Sequence, residues 1–408
     1  MNLKSFSRAA WTAALATALS AVPLLAQAAP PPPESRAPIA DPKPKPEVSQ
    51  MDSRQAQAPR PEIEVAFVLD TTGSMGGLLE GAKQKIFSIA SRISEGKPTP
   101  RLKVALVAYR DVGDAYVTKR FDLTDDLDSV FAQLRKLDAD GGGDTPEHVG
   151  RGLGEAVSLL KWSQQREVMK VIFLVGDAPP ADRHDAWNFK KWAGAARERH
   201  IVVNTVRCGE DPSTEESWRY VAKLTDGTFD TIAQSGGMVA VATPYDAELS
   251  KVSAELATKT LYAGKHEAQV ANRARADAMK ELAPEAAAER ISFMKKSRGA
   301  SSGAAPAAVS SAPVAVGGAV DLVEKPTELA TLRDDEVPME LQGMTKEAQA
   351  AKVKQLGAER KTLEEKAAKL SADRDAWLTR NASTKKDAFD TNVMDSVKKQ
   401  ASKFGVAY

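Results

Sequence analysis

The sequence predicts an α/β fold: a doubly wound, mostly parallel sheet flanked by helices, followed by a separate helical C-terminal region. Three observations predict it. Short β-branched apolar runs recur at 63–69, 102–109, 171–175 and 201–206. They lack apolar–polar alternation, as strands covered on both faces do. Between them apolar residues recur at three- and four-residue steps, the period of a helix face. Leu78, Leu79, Ala82, Ile86, Ile89, Ala90 and Ile93 form one such set. Leu127, Val130, Leu134 and Leu137 form the next, followed by Val149, Leu153, Ala156, Val157 and Leu160. The regular alternation of buried strand with helix is the third observation, and it requires parallel strands joined by crossovers.

Taken in order, residues 1–28 read as a secretory signal peptide. Lys4 and Arg8 precede an apolar run that ends in Ala26-Gln27-Ala28, a small-residue cleavage pattern. No later apolar run approaches the roughly 20 residues that span a bilayer, so no retained transmembrane segment is expected. Residues 29–61, opening on Pro30-Pro31-Pro32-Pro33, are too poor in apolar groups to fold and read as an extended linker. The α/β domain occupies 62–235, with 117–123 as an antiparallel edge strand and 228–232 as the last strand. Residues 236–298 are an alanine-rich helical extension, with Leu249, Val252, Leu256 and Thr260 on one face. Residues 299–320 are low in complexity and read as a flexible linker.

The region 321–408 is charged and helical. Leu356, Leu363, Leu370 and Trp377 fall at seven-residue intervals, with Val353 and Ala367 on the same seam. Arg360 and Arg374 interrupt that seam, which weakens a long coiled coil. A short helical hairpin or docking against the domain is the favoured expectation, and self-association through residues 345–378 the alternative.

Composition removes several function classes. With 56 Lys+Arg against 55 Asp+Glu the chain is near neutral and shows no nucleic-acid footprint. Cys208 is the single cysteine, so no disulfide closes within the chain, and it reads as a small buried hydrophobe. No cysteine follows the N-terminal apolar run, which argues against a lipid anchor there. A periplasmic or secreted bacterial protein is the expected localisation.

The stretch VLDTTGSMGG at 68–77 ends the first strand with oxygens at alternate positions, Asp70, Thr72 and Ser74. A nucleophile elbow needs glycine two residues before the serine, where Thr72 stands. A phosphate loop needs Gly-Lys-Ser/Thr after its fourth spacer, and Gly81 is followed by Ala82 and Lys83. A helix cap needs one hydroxyl and leaves the strand-end aspartate unexplained. A metal site accounts for more. Ligands gather at the carboxyl ends of strands where strand order reverses. Asp177 ends another apolar run there, and Gly141-Gly142-Gly143-Asp144-Thr145-Pro146 makes a glycine-rich turn into a helix that Pro146 could start. Carboxylates and hydroxyls without sulfur or imidazole suit Mg²⁺ or Ca²⁺ and disfavour zinc.

These residues, D70-T-T-G-S, the GGGDTP turn and the LVGD strand end, resemble a von Willebrand factor type A (VWA) domain of exported bacterial type. The resemblance covers roughly 62–235 and includes that family's metal-ion-dependent adhesion site. It implies that Asp70, Thr72, Ser74, Thr145 and Asp177 hold Mg²⁺ or Mn²⁺, with Ca²⁺ less favoured. It further implies a protein partner whose Asp or Glu carboxylate completes the ion. Asp111 and Asp144 lie in the same loops and could add or orient a ligand, and Asp144 could equally cap the next helix. Arg110 could neutralise these carboxylates. Trp187, Phe189 and Trp192 either pack a helix on the sheet or contact the partner. The expected function is a non-enzymatic, metal-dependent adhesion or scaffold module. The alternatives are a hydrolase using Ser74 or a metal-activated water, and an envelope-assembly protein with a vestigial site.

Overall fold

The computed structural model describes residues 60–143, 145–181, 185–234, 241–303, 308–381 and 388–408, the side chains of 185 and 388–390 excepted. The expected signal peptide and most of the proline-rich linker lie outside these residues, as do Asp144 and His184. No helix among the described residues is long and apolar enough to cross a membrane.

The sheet has six strands, β1 (Glu62–Asp70), β2 (Arg101–Tyr109), β3 (Thr118–Thr124), β4 (Met169–Gly176), β5 (Ile201–Cys208) and β6 (Phe229–Ile232). Their spatial order is β3-β2-β1-β4-β5-β6, and every pairing is parallel except β2 with β3. Each apolar run of the sequence falls on a strand, and the edge strand is antiparallel as expected. Strand order reverses at β1, which lies between β2 and β4.

Period-two geometry explains why the strands look uniformly apolar. Ile63, Val65, Phe67 and Leu69 of β1 enter one core, while Ala66 and Val68 enter another on the opposite face. The first core is covered by α1 (Gly76–Ile93) and α2 (Leu127–Leu134). The second is covered by α3 (Val149–Leu159), α4 (Phe189–Glu198) and α5 (Pro212–Leu224), with Trp218 fully buried. Cys208 is buried on β5, as its sequence context suggested. Trp187 and Trp192 stack at 5.8 Å against the glycine face of α3, where Gly150 and Gly154 leave room for them. The aromatic cluster packs α4 onto α3.

The helical C-terminal region is present and shares the core of the sheet. It comprises α6 (Asp246–Thr258), α7 (His266–Lys280), α8 (Pro284–Ser302), α9 (Lys346–Arg380) and α10 (Ala388–Ala401), with a short ribbon of β7 (Tyr262–Ala263) and β8 (Val320–Asp321). Phe293 and Met294 of α8, and Val393, Met394 and Val397 of α10, join the core that α1 covers. The chain end is tied down as well. Ala407 pairs with Lys97 through two backbone hydrogen bonds of 2.8 and 3.0 Å.

One expectation is corrected here. Residues 299–320 are not a flexible linker in their described parts. The first residues finish α8, and 308–320 pack between helices. Val309 and Ala312 are buried, Ser311 N donates to Glu364 at 2.7 Å, and Val316 N donates to Asn272 at 2.9 Å. Small residues let the backbone approach closely enough to be hydrogen-bonded by buried side chains. The heptad seam of α9 is also occupied within the chain. Val353 and Leu356 are buried among Leu261, Leu322, Leu329, Val337 and Leu341, and Arg360, Glu364, Ala367 and Arg374 are buried against α6, α8 and the 308–323 segment.

Candidate metal centre

β1 ends in Asp70, whose carboxylate is fully buried. The backbone then turns sharply. Thr72 N donates to Asp70 Oδ1 at 2.9 Å, and Thr72 Oγ1 donates to the same oxygen at 2.7 Å. A short 3-10 turn at Gly73–Met75 leads into α1, and Thr72 caps it with no side-chain hydrogen bond. The hydroxyl that a cap would use is committed to Asp70. Ser74 Oγ lies 3.4 Å from Thr72 Oγ1 on the exposed side. The alternating oxygens of the 68–77 stretch therefore converge, as the sequence implied.

The glycine turn closes over them. Gly73 N donates to Gly141 O at 3.2 Å, and Asp140 N donates to Thr71 O at 3.2 Å. Gly142 has φ +76°, and a Cβ there would come within 2.9 Å of Thr72 Cβ. Only glycine takes that conformation and that approach at low cost. Thr145 follows on the same turn and is exposed. Pro146 does not start the helix, contrary to expectation. Glu147 N donates to Pro179 O at 3.0 Å and Ala181 N donates to Glu147 O at 2.7 Å, which holds the chain extended until α3 begins at Val149.

Asp177 follows β4 and is partly exposed. Gln234 donates its amide to Asp177 Oδ2 and also reaches Ser74 O at 3.4 Å, so it links two of the converging loops. Gly176 before it has no side chain, and a Cβ there would meet the Tyr109 hydroxyl and come within 3.0 Å of Asp70 Cβ. Asp111 is buried beside the turn, and Asp114 accepts from Gly142 N at 3.3 Å and from Asp111 N at 3.1 Å. The charge of Arg110 acts on Asp70 from a distance, and no hydrogen bond among the described residues joins its guanidinium to that carboxylate. Its Nε donates to Thr71 O at 2.9 Å and its other arm to Asp138 O at 2.6 Å, so it braces the turn backbone.

The electrostatics are one-sided. Asp70 Oδ2 and Glu147 Oε2 are buried without a hydrogen-bond partner. Burial, with Asp177 nearby, pushes the Asp70 carboxyl up to about 7 in spite of the Thr72 hydrogen bonds. Burial and the charges of Asp70, Asp111 and Asp114 push Glu147 up to about 8. A buried carboxylate with no compensating partner is costly, and a cation is the usual compensation. The orphaned oxygens and the hard, all-oxygen donor set fit a divalent ion of the Mg²⁺ class. No three His, Cys, Asp or Glu among the described residues form a metal-holding group by themselves, and the hydroxyls of Thr72 and Ser74 are the other side-chain oxygens at hand.

Asp70, Thr72 and Ser74 are thus brought together, Asp177 is tied to Ser74 through Gln234, and Thr145 lies on the turn that covers Thr72. Glu147, Gln234 and Tyr109 were missed. Glu147 directly follows Thr145-Pro146, and that adjacency was the one signal available.

Residues 64–244 match the family model described as the von Willebrand factor A domain. Proteins called von Willebrand factor A domain-containing protein 7 are similar. The rat protein is 34% identical over 38% of this chain and 16% of its own length. The human protein is 34% identical over 30% of this chain and 12% of its own. The chain thus spans less than a fifth of the relatives it matches. Among solved structures, a mussel byssus proximal thread matrix protein with a zinc-occupied MIDAS motif aligns at 19% identity and a TM-score of 0.35, over 43% of this chain and 42% of that one. The SpRpn10 VWA domain aligns at 15% identity and 0.32, over 42% of this chain and 87% of that one. Residues 64–244 of this chain are a von Willebrand factor A domain, a module that typically mediates protein–protein interaction.

Proposed function

We propose that the protein is a metal-dependent protein-binding module, in which a Mg²⁺ or Mn²⁺ ion at Asp70, Thr72, Ser74, Thr145 and Asp177 is completed by an Asp or Glu carboxylate of a partner. The observation that carries this reading is the fully buried Asp70 carboxylate, with Oδ2 unpartnered at the strand-order reversal. A bound cation would supply Lewis acidity toward that outside carboxylate. Thr72 and Ser74 would orient the donor set, and the glycine turn would keep its approach open. The N-terminal sequence supports export with the domain held on a linker.

A serine hydrolase has less support. The Ser74 hydroxyl meets Thr72 Oγ1, and no histidine among the described residues is hydrogen-bonded to it. Adhesion is tested by immobilising the full chain and measuring capture of Asp- and Glu-containing peptides in Mg²⁺ and in EDTA. Capture should require the metal, disappear in Asp70→Ala, and be lost when the peptide acid is amidated. Equal capture in EDTA would contradict it.

A further inference from the structure

Glu147 lies outside the set that the motif assigns. It is 3% exposed, and Oε2 has no hydrogen-bond partner. No ion pair among the described residues reaches its side chain. Its backbone is clamped on both sides by the loop after β4, through Pro179 and Ala181, so it stands between the glycine turn and the Asp177 loop. The direction of its carboxylate is fixed by one point in space. A Cβ built on Gly142 would lie 3.2 Å from Glu147 Oε1 and 2.9 Å from Thr72 Cβ. Glu147 Oε1 therefore borders the glycine turn on the side where Thr72 presents its Cβ and methyl.

We propose that Glu147 is a third acidic member of the metal centre, its carboxylate reaching the ion held by Asp70 and Asp177 through one water. The inference rests on the metal-centre reading above. Its physical basis is charge. Asp70 and Asp177 alone neutralise a divalent cation, and a third buried carboxylate makes the protein's own negative charge exceed the ion's. Such a site holds hard divalent ions more tightly. It also lowers the residual positive character offered to a partner carboxylate, so Glu147 tunes metal retention against partner affinity. A structural role would need a partner for this carboxylate, and Oε2 has none.

The test uses EDTA-stripped full chain titrated with Mn²⁺ by calorimetry, alongside thermal unfolding of the metal-free protein. Wild type should bind one Mn²⁺. Glu147→Gln keeps the shape and removes the charge. It should bind at least tenfold more weakly while its metal-free Tm stays equal or rises. If that variant does not fold, Glu147→Ala removes the same charge and takes the same test. Wild-type affinity in the variant overturns the role of Glu147 and leaves the metal centre standing. Failure of wild type itself to bind Mn²⁺ overturns the metal centre and this proposal with it.

Discussion

Two regions of the molecule bury carboxylates and treat them in opposite ways. In the helical region each is matched. Asp128 and Arg290, both fully buried, form a bidentate pair at 2.6 and 2.7 Å. Asp126 meets Arg275, Asp321 meets Arg360, Glu364 meets Lys295 at 2.8 Å, and Asp246 meets Arg374 at 2.7 Å. At the carboxyl end of β1, Asp70 and Glu147 are buried as deeply, and no ion pair among the described residues reaches either, Arg110 acting on Asp70 only from a distance. One region uses charge to fix helices onto the sheet and onto one another. The other leaves carboxylate oxygens without a hydrogen-bond partner. Burial alone does not separate architecture from function, whereas the presence of an internal counter-charge does.

The matched region should break most severely when one partner is removed. Arg290→Met leaves Asp128 buried and unpaired, which should cost about 3–5 kcal/mol by urea unfolding. The double variant Arg290→Met with Asp128→Leu should recover most of that loss. A single variant as stable as wild type would show that the pairs do not hold the architecture.

The unmatched region should respond in the opposite direction. Asp70→Asn should not destabilise the metal-free protein at pH 8, and should stabilise it by on the order of a few kcal/mol, since the buried charge is gone. Urea unfolding in EDTA measures this, and a large destabilisation would contradict the contrast with Asp128.

The pH dependence follows from the same carboxyls. Their folded-state values, about 7 for Asp70 and about 8 for Glu147, lie above those of the unfolded chain. The folded protein therefore binds protons that the unfolded chain has released. Metal-free stability from these groups is present on the acid side and is lost as pH rises from roughly 4 to 8. Mn²⁺ requires the ionised forms, so its stabilising effect should grow over the same rise. Thermal unfolding from pH 5 to 8.5, with Mn²⁺ and with EDTA, should give diverging curves for wild type and parallel ones for Asp70→Asn.

The fold was legible because strand and helix periods are local. Both faces of β1 are covered, so its run is continuous, and the helix periods mark which faces turn inward. The candidate site was legible because Asp70, Thr72 and Ser74 lie within one turn, and Thr145 and Asp177 end short motifs. What could not be read depends on distant partners. The docking of α10 on the sheet and the pairing of Asp128 with Arg290 across the sequence leave no local pattern. The 308–320 segment is as poor in large side chains as a linker, and its order comes from Glu364, Asn272 and Arg290 reaching its backbone. Glu147 carries no local signal beyond its place after Thr145-Pro146, since its backbone is held by Pro179 and Ala181, more than thirty residues away.

The smallest expected effect lies on the surface. Lys366→Ala removes a pair with the half-exposed Glu248 and should change stability by less than about 1 kcal/mol. A larger loss would blur the distinction between buried and exposed pairs.

The most direct test of the contrast is calorimetric titration of Mn²⁺ into the EDTA-stripped full chain, wild type beside Asp70→Ala, with circular dichroism showing both folded. Saturable one-to-one binding in wild type and none in the variant is the expected result. Equal binding in both proteins, or none in wild type, would mean that the unpaired carboxylates at the end of β1 are not a metal centre.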